Sequence, residues 1–147
     1  MTREINDAGL ELIKSFESCS LTPYLDVGGV PTIGYGHTEG VSMDGAPIEQ
    51  EQADSWLLDD LDGAEHVVEN TINVPINDNQ YAALVSLVFN CGGSPLTGTL
   101  GTKLNSGDVT GASEEFSRWN HVHGVICDGL TKRRAAEQGL FNTPMES

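Results

Sequence analysis

Thr22-Pro23-Tyr24-Leu25-Asp26-Val27-Gly28-Gly29-Val30-Pro31-Thr32-Ile33-Gly34-Tyr35-Gly36-His37 is the stretch on which the fold turns. Two prolines and four glycines in these sixteen residues exclude a helix. Tyr24, Leu25, Val27, Val30, Thr32, Ile33 and Tyr35 suit short strands, so the segment reads as a β-hairpin. If Gly28-Gly29-Val30 is a three-residue loop, Val27 opposes Pro31 and Asp26 opposes Thr32 on one face; a two-residue loop would separate them.

Working outward, helical patterns flank the hairpin on both sides. Upstream, Asn6 is an acceptable N-cap, with Ile5 and Leu10 placed as a hydrophobic staple. Leu10, Ile13 and Glu17 then fall at i, i+3 and i+7, which puts a carboxylate on the apolar face of a helix over residues 6–17. Downstream, Pro47 stands where a long helix starts, running over 47–70 with Glu49 and Glu51 in its first turns. Its acidic residues, Glu51, Asp54, Asp59, Asp62, Glu65 and Glu69, read most simply as a solvated face.

Asn77 with Gln80 resembles a capping box opening an all-apolar helix through Phe89, the expected centre of the core, and Cys91-Gly92-Gly93 is a natural stop. Shorter helices are expected at 100–104, 109–119 and 130–140. No repeat or linker divides the chain, so residues 1–147 read as one α+β domain. Its patterned parts are a β-containing stretch over 18–46, the long helix, and helical patterns over 77–141 and 6–17.

Composition narrows the function. Seven basic against 22 acidic residues give a formal charge of −15, which repels nucleic acid and any other anionic polymer at long range. No apolar run approaches the roughly 20 residues of a membrane span, and the first residues lack the apolar core of a secretory signal, so no membrane anchor is expected. Cys19, Cys91 and Cys127 are odd in number and widely spaced, which fits free thiols better than a disulfide framework or a zinc site. A regulatory disulfide at Cys19 is the sharper, less favoured alternative. His121 and His123 resemble a metal pair with no third ligand indicated, so neither metal nor cofactor is expected.

Glu17 breaks two local rules: it sits on an apolar face, and it lies near a helix C-terminus, where the dipole disfavours negative charge. Both favour the neutral form that a general acid needs. The competing reading is a surface glutamate at a fraying helix end. Asp26, before a glycine pair, is by itself a turn former. With Glu17 it makes the two unlike carboxyl groups that glycoside hydrolysis generally uses. Thr32 offers a hydroxyl able to orient water, although threonine in a strand commonly serves β propensity.

Phe16-Glu17, Pro23-Tyr24-Leu25-Asp26 and Pro31-Thr32-Ile33-Gly34-Tyr35-Gly36-His37-Thr38 together resemble the active-site signature of the phage-type lysozymes, glycoside hydrolase family 24. Glu, Asp and Thr occur in that order, nine and then six residues apart, which is the family spacing. Asn79 to Ser86, Phe89 to Gly92, Lys103 to Asp108, Trp119 and the run Gly129 to Arg134 with Glu137 extend the likeness over almost the whole chain. The resemblance implies a lysozyme-like fold with a cleft between a small β-containing lobe over 18–46 and a helical lobe over 77–141 that includes the N-terminal helix, the two joined by the long connecting helix. It implies Glu17 as proton donor, Asp26 activating water or stabilising the developing cation, and Thr32 positioning water. Gly36, Phe89, Asn90, Thr99 and Leu130 match positions that line the cleft.

The implied substrate is the β-1,4 bond between N-acetylmuramic acid and N-acetylglucosamine in bacterial peptidoglycan. The implied setting is a monomeric endolysin in the host cytoplasm, released by a separate holin for host cell lysis. A lytic transglycosylase and a catalytically silent wall-binding or virion module are the competing classes. His37 is expected to brace the β lobe. Lys132-Arg133-Arg134, the one basic cluster, is expected to make salt bridges to the acidic helices, the sharper alternative being a contact to peptide carboxylates of the wall.

Overall fold

The structure, a computed structural model, describes residues 3–26 and 28–145. Asn6 caps the first helix as expected: its Oδ1 accepts the Gly9 amide at 3.0 Å, and α1 runs Asp7–Phe16. The Glu17 amide still donates to the Ile13 carbonyl at 2.8 Å, so Glu17 closes the last turn. β1 (Ser20–Leu25) and β2 (Pro31–Gly34) form the expected antiparallel hairpin.

Its register is not the one that a Gly28-Gly29-Val30 loop would give. Thr32 faces Tyr24 and Pro31 faces Leu25, while the Asp26 amide donates to the Val30 carbonyl at 3.0 Å. Asp26 therefore does not oppose Thr32, and the expected pairing of Val27 lies outside the described residues. The turn itself accounts for the shift. Asp26 Oδ1 accepts the amides of Gly28 at 2.8 Å and Val30 at 2.9 Å, and Gly29 takes φ +78°, a conformation open to glycine. Since the shift is by two residues, side-chain parity is kept: Asp26 remains on the Thr32 face, diagonal to it.

α2 (Gln50–Thr71) begins three residues after Pro47. The Ile48 amide is committed to the Leu21 carbonyl of β1 at 2.9 Å, and Glu49 is the first carbonyl to accept helical amides. Residues 13–62 form one compact unit of the chain. Within it, Ile33, Ala53, Leu57 and Leu61 are buried. His37 stacks on Trp56 with ring centroids 4.4 Å apart, and its Nδ1 lies 2.8 Å from Asp60 Oδ2. That pairing is the bracing role expected of His37.

The second unit comprises the residues up to Leu12 and those from Gly63 onward. α3 (Asp78–Cys91) opens on the expected capping box and stops at Gly92. Its residues from Tyr81 to Val88 are buried, and its main packing partner is α7 (Asp128–Phe141). Leu96, Leu100, Leu104, Ala112, Phe116 and Phe141 complete this core. They come from α4 (Ser94–Thr97), α5 (Thr99–Asn105), α6 (Val109–Glu115), a 3₁₀ turn (Phe116–Arg118) and α7. The single helix expected over 109–119 is thus a helix and a tighter turn.

A second hairpin, β3 (His121–Val122) with β4 (Val125–Ile126), was not anticipated. His123 at φ 50° and Gly124 at φ 81° make the twisted two-residue turn that such hairpins favour.

The acidic run on α2 is not simply a solvated face. Glu65 accepts the Ile5 amide and Glu69 the Arg3 amide, each at 2.8 Å, so this pair, one turn apart, holds the N-terminal segment. Asp54 pairs with Lys14 at 3.4 Å and accepts from Gln50.

Candidate active site

Glu17, Asp26, Thr32 and Gly36 all fall in the unit of residues 13–62. Glu17 is partly buried at the end of α1, with Oε2 shielded from solvent, which is not the situation of a fraying surface residue. The Asp26 carboxylate is oriented by the two turn amides on Oδ1, and Oδ2 has no partner among the described residues. Thr32 is buried; its Oγ1 donates to the Val30 carbonyl at 2.8 Å, the same residue whose amide binds Asp26. Aspartate and threonine are thereby held by one turn, whereas Glu17 reaches this unit on a separate element. Gly36 follows β2 at φ 80°.

Phe89, Asn90, Thr99 and Leu130 belong to the other unit. Asn90 and Leu130 line a cavity of about 590 Å³ with Cys91, Arg118, Trp119, His121 and Val122. Thr99 lies apart from them in a second cavity of about 230 Å³, with Leu100 and Glu115, and Arg118 and Trp119 line both. Phe89 is half-buried and lines neither.

The expectation for the basic cluster needs correction. Arg133 and Arg134 turn inward instead of reaching to the acidic helices: Arg134 Nε lies 2.6 Å from Glu137 Oε1 and Arg133 Nε 3.3 Å from Glu137 Oε2, on the same helix. Ser86 Oγ donates to Glu137 Oε2, tying α3 to α7. Arg134 also donates to Asn90 Oδ1 at 2.8 Å and the Trp119 carbonyl at 3.2 Å, and it touches Cys91 Sγ.

One arginine thus positions the wall of the larger cavity. Burial pushes the Glu137 carboxyl up, while Arg134, Ser86 and Arg133 draw it back. The spacing that carries this network, Arg133-Arg134 followed by Glu137, places the charges one helical turn apart and was legible; its inward orientation was not.

Trp119, Arg118 and the β3–β4 hairpin are the lining residues missed. The signal available was Val122-His123-Gly124-Val125, β-branched residues around a turn dipeptide. His121 and His123 are exposed on this hairpin. Among the described residues no group of three or more His, Cys, Asp or Glu is arranged to hold a metal. Cys19, Cys91 and Cys127 are free thiols. No described helix is long and apolar enough to cross a membrane.

Comparison with known proteins places this arrangement. The chain is 43% identical to an endolysin of Acyrthosiphon pisum secondary endosymbiont phage 1, over 95% of this chain and 98% of that one. Among solved structures, the endolysin from Escherichia coli O157:H7 phage FAHEc1 is similar at a TM-score of 0.88, with 34% identity over 97% of this chain and 95% of that one. The muramidase domain of SpmX from Asticaccaulis excentricus gives 0.87, with 36% identity over 97% and 100%. The fold is lysozyme-like, and the protein is of the class of enzymes that hydrolyse peptidoglycan. The family model for phage lysozymes matches residues 14–137, and the chain belongs to that family.

Proposed function

We infer that this protein is an endolysin-type muramidase that hydrolyses the β-1,4 bond between N-acetylmuramic acid and N-acetylglucosamine. Glu17 protonates the glycosidic oxygen as the bond to the leaving sugar breaks. Asp26 activates the attacking water or stabilises the oxocarbenium charge, and Thr32 positions that water. Gly36, Phe89, Asn90, Thr99 and Leu130 serve as sugar contacts.

The observation that carries this reading is the Asp26 turn. Two amides hold Oδ1, Oδ2 is left for a water or a developing cation, and the same loop orders Thr32. A chain similar to a muramidase domain over nearly its whole length supports the choice of bond. Release from the host cytoplasm through a separate holin, and action as a monomer, complete the proposal as an endolysin.

The test is digestion of purified peptidoglycan by the wild type and Glu17→Gln, with mass spectrometry of the products. Loss of a positioned general acid is expected to slow lysis about 10³-fold. Reducing muramic ends mark hydrolysis. Equal rates for the two proteins would remove Glu17 from the chemistry, and 1,6-anhydro ends would make the enzyme a transglycosylase.

A further inference from the structure

α1 carries a glycine from which the helix itself gains nothing. Gly9 stands in the first turn, is buried, and has an ordinary helical φ. Its backbone would accept alanine, and glycine within a helix is about 1 kcal/mol less favourable than alanine. Space is what excludes a side chain. A methyl at Gly9 would lie 2.5 Å from Ala82 Cβ on α3, whereas carbon atoms in contact stand about 3.5–4 Å apart. It would also meet Ile5 Cγ1 and Cδ1 at 2.7 and 2.8 Å, but that side chain can rotate. Ala82 is fully buried and its Cβ is fixed to the α3 backbone.

Polar bonds seat the same end of α1. Asn6, which caps the helix at the Gly9 amide, donates from Nδ2 to Asn79 Oδ1 at 3.0 Å, and the Ile5 amide is held by Glu65. From this seat the helix runs unbroken to Glu17, whose amide bonds to Ile13. Gly9, Ile13 and Glu17 follow one another at four-residue steps along one flank, with Glu17 about 12 Å beyond Gly9. Asp26 and Thr32 take their position by another route: they lie on the hairpin, whose β1 is tied at Leu21 to the entry of α2.

We propose that Gly9 is a positioning residue for the general acid: its close contact with Ala82 fixes how near α1 lies to α3, and with it where Glu17 meets the bond that Asp26 and Thr32 address. This rests on the reading of Glu17 given above. Close-packed surroundings leave few places to absorb a displacement, so a shift at Gly9 travels along the helix. Relief of the clash in Gly9→Ala moves α1 off by about 1 Å. A misplacement of that size at a reacting group lowers the rate by up to about 10²-fold. The hairpin is held separately, so the acid moves and its partners do not.

The experiment measures kcat and KM on soluble peptidoglycan strands for the wild type, Gly9→Ala, Ala82→Gly and the double variant. Each is also made in the Glu17→Gln background and assayed well below its thermal midpoint. Gly9→Ala is expected to lower kcat at least about tenfold, with KM within about twofold. Ala82→Gly, which opens the contact by one methyl, is expected to lower kcat about threefold. In the double variant the methyl has changed sides, and kcat is expected to return to within about twofold of the wild type. In the Glu17→Gln background none of these changes is expected to alter the residual rate, because the group they position is gone.

Wild-type kcat in Gly9→Ala, no recovery in the double variant, or an equal loss with and without Glu17 overturns the proposal and leaves Gly9 a packing residue. Should Gly9→Ala fail to fold, Ala82→Gly decides: the proposal stands if kcat falls beside Glu17 and holds in Glu17→Gln, and falls otherwise. If Glu17→Gln is itself as active as the wild type, the general-acid reading is lost and the proposal with it, an outcome distinct from the other three.

Discussion

The two compact units of this protein organise their polar groups in opposite ways. In residues 13–62 the order comes from backbone turns and isolated pairs: Asp26 on two turn amides, partly exposed Lys14 against Asp54, buried His37 against Asp60. In the unit built on α3 and α7, Ser86, Arg133, Arg134 and Glu137 are all buried and pair with one another in the core. The difference teaches where precision is needed. The carboxylate proposed to act on water and substrate is aimed by backbone, with one oxygen left over. A carboxylate that aligns two helices is removed from water and matched with arginines, where loss of one partner is costly.

The largest expected stability effect breaks the buried side. Arg134→Ala leaves Glu137 buried with half its compensation and frees Asn90 and the Trp119 carbonyl, for an expected loss of about 3–5 kcal/mol in urea unfolding. A loss below about 1 kcal/mol would erase the contrast between the units.

Asp26→Asn sharpens the other side. The amide keeps an oxygen for the two turn donors, so the expected stability change is under about 1 kcal/mol. Wall lysis is expected to fall at least about 10²-fold. Parallel losses of stability and activity would mean that Asp26 is only a turn former. Lys14→Ala removes a pair of partly exposed residues and should cost about 0.5 kcal/mol or less, further reduced in high salt.

The smallest effect is kinetic. Burial raises the Cys91 thiol, and the pull of Arg134 does not cancel it. The reactive thiolate is scarcer at a given pH, so alkylation of Cys91 should lag that of exposed Cys19 at pH 8. With the folded pKa above the unfolded one, the thiol's stability contribution is intact below the ordinary thiol range. It is lost as pH rises through the folded value, and Cys91→Ser should remove that alkaline slope. Equal alkylation rates would show that Cys91 is as open as Cys19.

Much of the fold was legible because it is local. Asn6 and Asn77 announce helix starts through side chains that reach only three residues on, and Gly92 ends α3. The first hairpin was evident from its glycines and prolines, yet its register stayed open between two loop lengths: loop choice depends on which glycine takes the left-handed conformation and on the bonds Asp26 makes. The second hairpin escaped notice because each strand is two residues long, too short for an alternating pattern to show.

The candidate site divides the same way. Glu17, Asp26 and Thr32 stand out by residue type and spacing, and Asp26 and Thr32 share one hairpin. Trp119 entered only through the family likeness and Arg118 not at all, since a cation and an aromatic residue in sequence do not tell whether they line a cavity.

By itself, then, the sequence determined helix caps, strand segments, the all-apolar α3 and the order Glu, Asp, Thr, because each depends on neighbours within a turn or two along the chain. Tertiary structure alone decided which charges are buried. Arg133 and Arg134 read as a surface cluster until α3 supplies Ser86, and Glu65 and Glu69 read as solvated until the N-terminal segment supplies two amides. A charged side chain leaves water only where partners distant in sequence compensate its desolvation, and no local pattern records them.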